Sequence, residues 1–305
     1  MTGGMGMQIM VLYGGDSAER QVSLSSGQRV VAALSRLGHR AWGYDYVGGA
    51  LPIRWLREAM EVDAVFLAFH GGAGEDGRIQ ARLHSCGILH YTGSAPKAAA
   101  IAMTKDVAKE LVARAGVPVP QGVLLHGRCA EPPLDFPFVI KPRMGGSSIG
   151  LHFIKNASDW RKLPPSGDFL CEKLLPGREF TVGILNCMAL PVVEIRPNGG
   201  RYDYWHKYTV GASRELCPAP LPPAQSRELQ RMALRAFGAL GLRDYARIDF
   251  RESDDGVAHF LEANTLPGMT ETSLFPLAAQ TAGISFAELC EKMALLAAAR
   301  KRKKR

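Results

Sequence analysis

The segment YARIDFRESDDGVAHFLEANTLPGMT, residues 245–270, constrains this chain more than any other stretch. Two apolar runs flank Asp255-Gly256, a pair favoured in two-residue hairpin turns because both central positions take positive φ. With that turn, Asp254 pairs with Val257, Asp249 faces Glu262 and Arg247 faces Asn264. Side chains alternate along a strand, so these last four share one face. Ile248 and Phe250, paired with Ala263 and Leu261, make the other face wholly apolar. Polar groups on strands that back onto a core are costly unless something pairs with them. Two opposed carboxylates repel unless a cation lies between them. The all-oxygen set of Asp249, Glu262 and Asn264 suits Mg²⁺, which keeps waters and phosphates in its other positions, and does not suit zinc. The competing reading is a solvent-facing sheet with an arginine salt bridge.

The hairpin needs a larger scaffold, and 305 residues are enough for two or three modest domains. The first unit alternates strand, glycine loop and helix. MQIMVLYGG (7–15) and DAVFLAFHGG (63–72) read as buried strands; SSGQRVVAALSRLG (25–38) and GRIQARLHSCG (77–87) read as helices. That order predicts a parallel sheet with ligands at the carboxyl ends of its strands. A second unit opens with APKAAAIAMTKDVAKELVARAGVPVP (95–120), predicted as one long helix. The strands FPFVIKP (136–142) and DFLCEKLL (168–175) follow. A third unit begins with PGREFTVGIL (176–185). It contains the glycine-bearing loop 198–218, a helix over 226–241, the hairpin, and a last helix from about Ser285 to Arg300. The expected units are 1–94, an N-terminal α/β domain, 95–178 and 179–305. The fold class is mixed α/β.

Within the second unit, FVIKPRMGGSSIG places Lys141 at a strand end before a Gly-Ser loop. Backbone N–H groups on such a loop can approach phosphate oxygens, and a lysine adds a point charge; an ordinary turn would read the same way. Neither a Walker A loop nor a G-x-G-x-x-G after the first strand is present. Lys105 on its helix, and Glu172 and Glu179 around a Leu-Pro-Gly turn, are ordinary solvated residues when taken singly.

Bulk properties exclude several classes. No run reaches the ~18 apolar residues a membrane helix needs. The N-terminus lacks a basic signal region, which points to a cytoplasmic protein. The six cysteines have no zinc spacing or C-x-x-C pair, so reduced thiols are expected. Net charge is +8, part of it in the terminal RKRKKR. That run could bind nucleic acid or acidic lipid, but the expected reading is a solvated tail, with neither nucleic acid nor membrane as a partner. The remaining excess suits an anionic substrate such as a nucleotide.

Taken together, GGDSAERQVSLSSG (14–27), FHGGAGEDGRIQ (69–80), YTGS (91–94), KPRMGGSSIG (141–150), EKLLPGREFTV (172–182), YDYWHKY (202–208), ARIDF (246–250) and LEANTLPGMTETSL (261–274) resemble, in order, the signatures of the D-alanine–D-alanine ligase family, a branch of the ATP-grasp superfamily. The resemblance implies a three-domain ATP-grasp architecture. It implies ATP-dependent joining of two D-alanines through an acylphosphate, as a step towards peptidoglycan, in a cytoplasmic enzyme that is typically a homodimer. By that resemblance Lys105 and Lys141 contact ATP phosphates. Glu172 holds the adenine amine beside Leu175, and Glu179 holds the ribose hydroxyls. Asp249, Glu262 and Asn264 hold two Mg²⁺ (or Mn²⁺) ions. Ser147 sits in the lid over the reacting phosphate. Glu19 fixes the first D-alanine ammonium near His70, and Ser273 and Leu274 receive the second carboxylate. Arg247 and the Gly268 N–H stabilise the oxyanion, and Tyr208, hydrogen-bonded towards Ser147 and Glu19, closes the lid. The chain departs from the family's frequent Arg-Glu at Met144-Gly145, and from its acidic residue at Gln21. Two other readings stand beside this one: a ligase for a different second substrate, D-lactate or D-serine, and a nucleotide-binding module without turnover.

Overall fold

The computed structural model of the chain describes residues 6–147, 149–163, 166–197 and 213–302. Three sheets organise it. The first is parallel: β1 (Gln8–Gly14) lies between β2 (Arg40–Tyr46) and β3 (Ala64–Leu67). Ile9 to Leu12 and all of β3 are buried, as expected for strands covered on both faces. Helix α1 (Arg20–Arg36) packs on this sheet, starting earlier than the apolar periodicity indicates. Its buried Ser23 explains part of the difference. The Gly14 N–H donates to Ser23 Oγ at 2.7 Å and Ser23 Oγ donates to Ala68 O at 2.7 Å, so a hydroxyl ties the carboxyl ends of β1 and β3 to the helix. Two further helices, α2 (Ile53–Glu61) and the short α3 (Gly72–Glu75), flank β3, and α4 (Arg78–Ser85) follows.

The predicted long helix over 95–120 is two helices, α5 (Pro96–Met103) and α6 (Lys105–Arg114). Thr104 breaks it, with extended backbone at φ −90° and ψ 93°. The Lys105 N–H turns away to Arg143 O at 3.1 Å, and the Ala108 N–H to Thr104 O bond restarts the helix. The break makes Lys105 the first residue of α6, so that it faces the loop after Lys141.

The second sheet is antiparallel, in the order β4 (Gly122–His126), β7 (Asp168–Lys173), β5 (Phe138–Pro142), β6 (His152–Ile154). One face covers a small core of Phe138, Ile140, Ile154, Trp160 and Cys171, closed by α7 (Ala157–Arg161). The third sheet has six strands. β11 (Ser213–Leu216), β10 (Val193–Pro197), β8 (Glu179–Leu185), β12 (Tyr245–Glu252) and β13 (Ala258–Asn264) run side by side, and β9 (Met188–Ala189) also pairs with β8. Its buried face carries Phe180, Val182, Ile184, Ile248, Phe250, Phe260 and Ala263 against α8 (Pro223–Ala239) and α6. Burying each such large side chain stabilises the fold by about 1.5–3 kcal/mol.

After β13, α9 (Leu274–Thr281) and α10 (Phe286–Arg302) return to the first sheet. Leu289, Met293 and Ala297, with Cys290 and Ala294, form a buried helical stripe that packs on β3 and α1. Arg300 clamps the join. It donates to Leu89 O at 3.0 Å, to the Tyr91 carbonyl, and to both Asp244 carboxylate oxygens at 2.7 and 2.8 Å. Among the described residues, no helix is long and apolar enough to cross a membrane.

Candidate functional site

The hairpin places Arg247 opposite Asn264, Ile248 opposite Ala263 and Asp249 opposite Glu262, as the sequence predicts. Two departures cancel to give that result. The turn is longer than Asp255-Gly256: Glu252 pairs with Ala258, and the Ser253 N–H donates to Val257 O at 2.9 Å. The Asp255 carboxylate accepts from the Ser253 hydroxyl and Val257 N–H, favouring the wider loop. A β-bulge between Asp249 and Phe250 then restores the register. Phe250 therefore faces Phe260, edge-on at 6.4 Å, and not Leu261 as predicted. Leu261 is the extra residue. It leaves the apolar face and lines a cleft with Glu262.

That cleft, about 1000 Å³ and open to solvent, lies between the second and third sheets. Strand alternation supplies its walls. From the second sheet come Val139 and Lys141 of β5 and Glu172 of β7; from the third come Glu179, Arg247, Asp249, Arg251, Leu261 and Glu262. Leu151, Phe153, Leu174 and Leu175 give it apolar surface, and Lys105 and the Gly145–Ser147 loop cover one end. A smaller cleft, about 410 Å³, continues past that loop to Glu19, Glu75 and Asn264. The two share Lys105, Gly145, Gly146, Ser147 and Glu262. The Ser147 hydroxyl donates to the Glu19 carboxylate across the loop. Ser147 takes φ 56°, a left-handed conformation that costs a non-glycine residue about 1 kcal/mol.

Charges in the large cleft are paired in rows. Arg247 donates from two nitrogens to both Asp249 oxygens at 2.9 Å, and Thr181 Oγ1 donates to Asp249 Oδ1 at 2.6 Å. Arg251 reaches Glu179 at 3.0 Å, and its buried Nε has no partner among the described residues. Glu172, 1% exposed, has the Lys141 ammonium 2.7 Å from one oxygen and the Lys109 ammonium 2.7 Å from the other. Burial alone would raise the Glu172 carboxyl, but Lys141 and Lys109 outweigh it and hold the group below the usual range. Lys109 drops to about 8, first through burial and then through the like charge of Lys141. Burial also lowers Lys105, whose ammonium donates to the Gly145 carbonyl. Burial raises Glu179 to about 7, against the pull of Arg251.

The opposed Asp249 and Glu262, with Asn264 next on β13, form a set of hard oxygen donors, and each carboxylate oxygen can accept in more than one direction. Among the described residues no group of three or more His, Cys, Asp or Glu could hold a metal. Two carboxylates and an amide therefore fit an ion that takes the rest of its shell from water and phosphate, as magnesium does, and do not fit a closed protein cage.

The expected amino-acid end is held by hydroxyls. Ser26 Oγ contacts His70 Nε2 at 2.9 Å and accepts the Met269 N–H at 3.3 Å; Ser17 Oγ donates to His70 O at 2.5 Å and accepts the Glu19 N–H at 3.2 Å. His70 thus stands behind Glu19 and lines neither cleft. Gly71, at φ 68°, lies so close that a Cβ would sit 3.0 Å from Glu19 Oε2. At Gly268 a Cβ would sit 2.5 Å from Ser273 Oγ, so a side chain there would displace that hydroxyl. Ser273 stands at the N-cap position of α9 without a side-chain capping bond, its hydroxyl instead accepting the Thr270 N–H at 3.0 Å, while the Leu274 side chain is buried in the core. Tyr208 and most of loop 198–218 lie outside the described residues.

Lys109, Thr181, Arg251, Leu261 and Glu75 were not singled out from sequence. Spacing could have found two of them: Lys109 lies one helical turn after Lys105, and Arg251 lies two residues after Asp249 on the same strand face. Leu261 could not be found, because alternation fails at a bulge.

Comparison with known proteins gives a consistent result. The family model described as D-ala D-ala ligase C-terminus matches residues 125–295. The chain is 44% identical over 290 residues to the D-alanine–D-alanine ligase of Methylacidiphilum infernorum, covering 93% of each. Its fold matches the D-alanine–D-alanine ligase from Bacillus anthracis complexed with ATP, with TM-score 0.82 and 28% identity, covering 98% of this chain and 99% of that one. It also matches the VanG D-Ala:D-Ser ligase from Enterococcus faecalis, with TM-score 0.79 and 26% identity, covering 96% of this chain and 99% of that one.

Proposed function

This chain belongs to the D-alanine–D-alanine ligase family, and from that premise we propose that it joins two D-alanines at the expense of ATP, as a step towards peptidoglycan. The observation that carries the reading is the continuity of the two clefts. A charge-lined space with an apolar wall, suited to a nucleotide, opens past Lys105, Ser147 and Glu262 into a smaller space ending at Glu19.

The nucleotide lies between the second and third sheets. Leu175 and Leu174 face its base, Glu172 its amine, and Glu179 accepts from the ribose hydroxyls as a carboxylate. Lys105, Lys141 and the Gly145–Ser147 backbone receive the phosphates. Asp249, Glu262 and Asn264 would hold Mg²⁺, two ions on this reading, with Mn²⁺ as a substitute. When bound, the metal neutralises charge on the phosphate oxygens. Glu19 fixes the ammonium of the first D-alanine, with His70 held behind it. That aligns the carboxylate with the terminal phosphate, the main requirement of phosphoryl transfer. The carboxylate oxygen bonds to phosphorus as the bond to ADP breaks. The second D-alanine, its carboxylate received by Ser273 and the Leu274 N–H at the start of α9, presents its amine to the acylphosphate carbonyl. Arg247 and the Gly268 N–H stabilise the oxyanion; one donor of this kind is commonly worth about 3–4 kcal/mol. Phosphate leaves and the amide remains. Ser147 and Tyr208 exclude water, which would otherwise hydrolyse the intermediate.

The test is phosphate release with ATP, Mg²⁺ and single amino acids, with the product identified by mass. D-Alanine-dependent release giving the dipeptide is expected. Release with D-alanine only when D-serine or D-lactate is added would change the second substrate. Nucleotide binding without release would leave a binding module. The same reading places the enzyme in the cytoplasm as a homodimer, to be checked by fractionation and light scattering.

A further inference from the structure

Lys109 is a buried cation for which the proposed reaction has no use. It is 6% exposed, one turn along α6 from Lys105, and lies behind the cleft rather than in its lining. Its ammonium stands 2.7 Å from Glu172 Oε1, donates to Phe260 O at 3.1 Å, and lies 5.8 Å from the centre of the Phe260 ring. The contact with Glu172 Oε1 is an ion pair between two buried groups. The same carboxylate holds Lys141 on its other oxygen at 2.7 Å. One carboxylate thus serves two ammonium groups, and only Lys141 faces the space assigned to the nucleotide.

This arrangement bears on what happens when an anion enters. Turning Lys141 from Glu172 to a phosphate would strand a buried carboxylate if that lysine were its sole partner, and an orphaned buried charge is strongly destabilising. Lys109 removes that cost. It is anchored to the third sheet through Phe260 O and keeps Glu172 neutralised whichever way Lys141 points. We infer that Lys109 is a positioning residue: by holding Glu172 it leaves Lys141 available to the phosphates of the nucleotide. This rests on the nucleotide reading of the large cleft. Without Lys109, Lys141 would be committed to Glu172 and the triphosphate would have to compete for it. A Glu172 that is no longer charged would release Lys141 again, so the two substitutions should not add.

The test is a double-mutant cycle with K109Q and E172Q, read by calorimetric titration of a non-hydrolysable ATP analogue with Mg²⁺. Glutamine at 109 removes the charge and keeps an N–H donor on a side chain one atom shorter. K109Q should weaken the analogue about tenfold and raise KM for ATP similarly, with kcat within about twofold, the pattern of lost uniform binding. In the E172Q background the same change should cost less than about threefold. Analogue binding by K109Q within about twofold of wild type overturns the inference, and so does an equal loss in both backgrounds. If K109Q alone melts below the assay temperature, the double variant decides against E172Q, since it leaves neither buried charge unpaired: binding within about threefold supports the inference and anything weaker overturns it. Failure of the wild-type protein to bind the analogue would overturn the nucleotide reading and this inference with it; normal wild-type binding with K109Q unchanged removes this one alone.

Discussion

The two clefts share five residues yet are built on different chemistry. The large one is lined by ionic rows, Lys141 on Glu172, Arg247 on Asp249 and Arg251 on Glu179, with Lys109 behind Glu172. The small one is backed by hydroxyl contacts, Ser17 and Ser26 around His70, and by Gly71, whose positive φ and close approach to Glu19 leave little room for a side chain. The difference suits what each proposed site must hold. Mobile, highly charged phosphates can be met by cations already paired with carboxylates. A small zwitterion needs fixed distances, which neutral hydrogen bonds and packing enforce. Apart from Glu19, Glu75 and the residues that line both clefts, charge substitutions should therefore act on the ATP side, and steric or hydroxyl substitutions around His70 on the amino-acid side.

The largest test is at the shared wall. Glu262→Gln removes the one of the two opposed carboxylates that lines both clefts, and turnover should fall by at least about 100-fold with an unchanged melting curve. Near-normal turnover would erase the metal-holding role of the hairpin. Next, Ser26→Ala deprives His70 Nε2 and the Met269 N–H of a buried partner. Such a loss costs about 1–3 kcal/mol of stability by chemical denaturation, and KM for D-alanine should rise while KM for ATP holds. An equal rise in both would show that the two sides are not separable. Gly71→Ala should cost about 1 kcal/mol from its positive φ and crowd Glu19 and Ser17, again with the KM effect confined to D-alanine. The smallest effect concerns Glu179. The unfolded chain loses this proton near 4.5 and the folded chain near about 7. The group's contribution is thus fully present below 4.5 and is lost as pH rises through about 7. The melting temperature of nucleotide-free protein should fall less over that interval in Glu179→Gln than in wild type. Identical slopes would place the Glu179 titration elsewhere.

Periodicity made the parallel first sheet legible, and the polar face of the hairpin was legible because alternation holds from Arg247 to Asp249 and from Glu262 to Asn264. The bulge at Leu261 and the break at Thr104 were not, since neither follows from a regular period: a wider turn, held by the Asp255 carboxylate, sets the first, and Arg143 O, distant in sequence, sets the second. Of the residues expected at the site, the structure gathers Lys105, Lys141, Glu172, Leu175, Glu179, Ser147, Arg247, Asp249 and Glu262 around one space. Taken singly, Lys105 and Glu172 look like ordinary surface residues. Their burial follows from how one sheet covers the other, a relation that residue type does not encode.

The return of α10 to the first sheet has a consequence for the order of synthesis. β3 is made early, yet part of its covering is a stripe from Leu289 to Ala297, locked by Arg300. A nascent chain halted before Ser285 should leave Val65 and its neighbours open to protease, or to a chaperone, and release of the remaining helix should bring protection abruptly. Arrested chains of increasing length, probed by brief proteolysis, would show whether the beginning of this protein waits for its end.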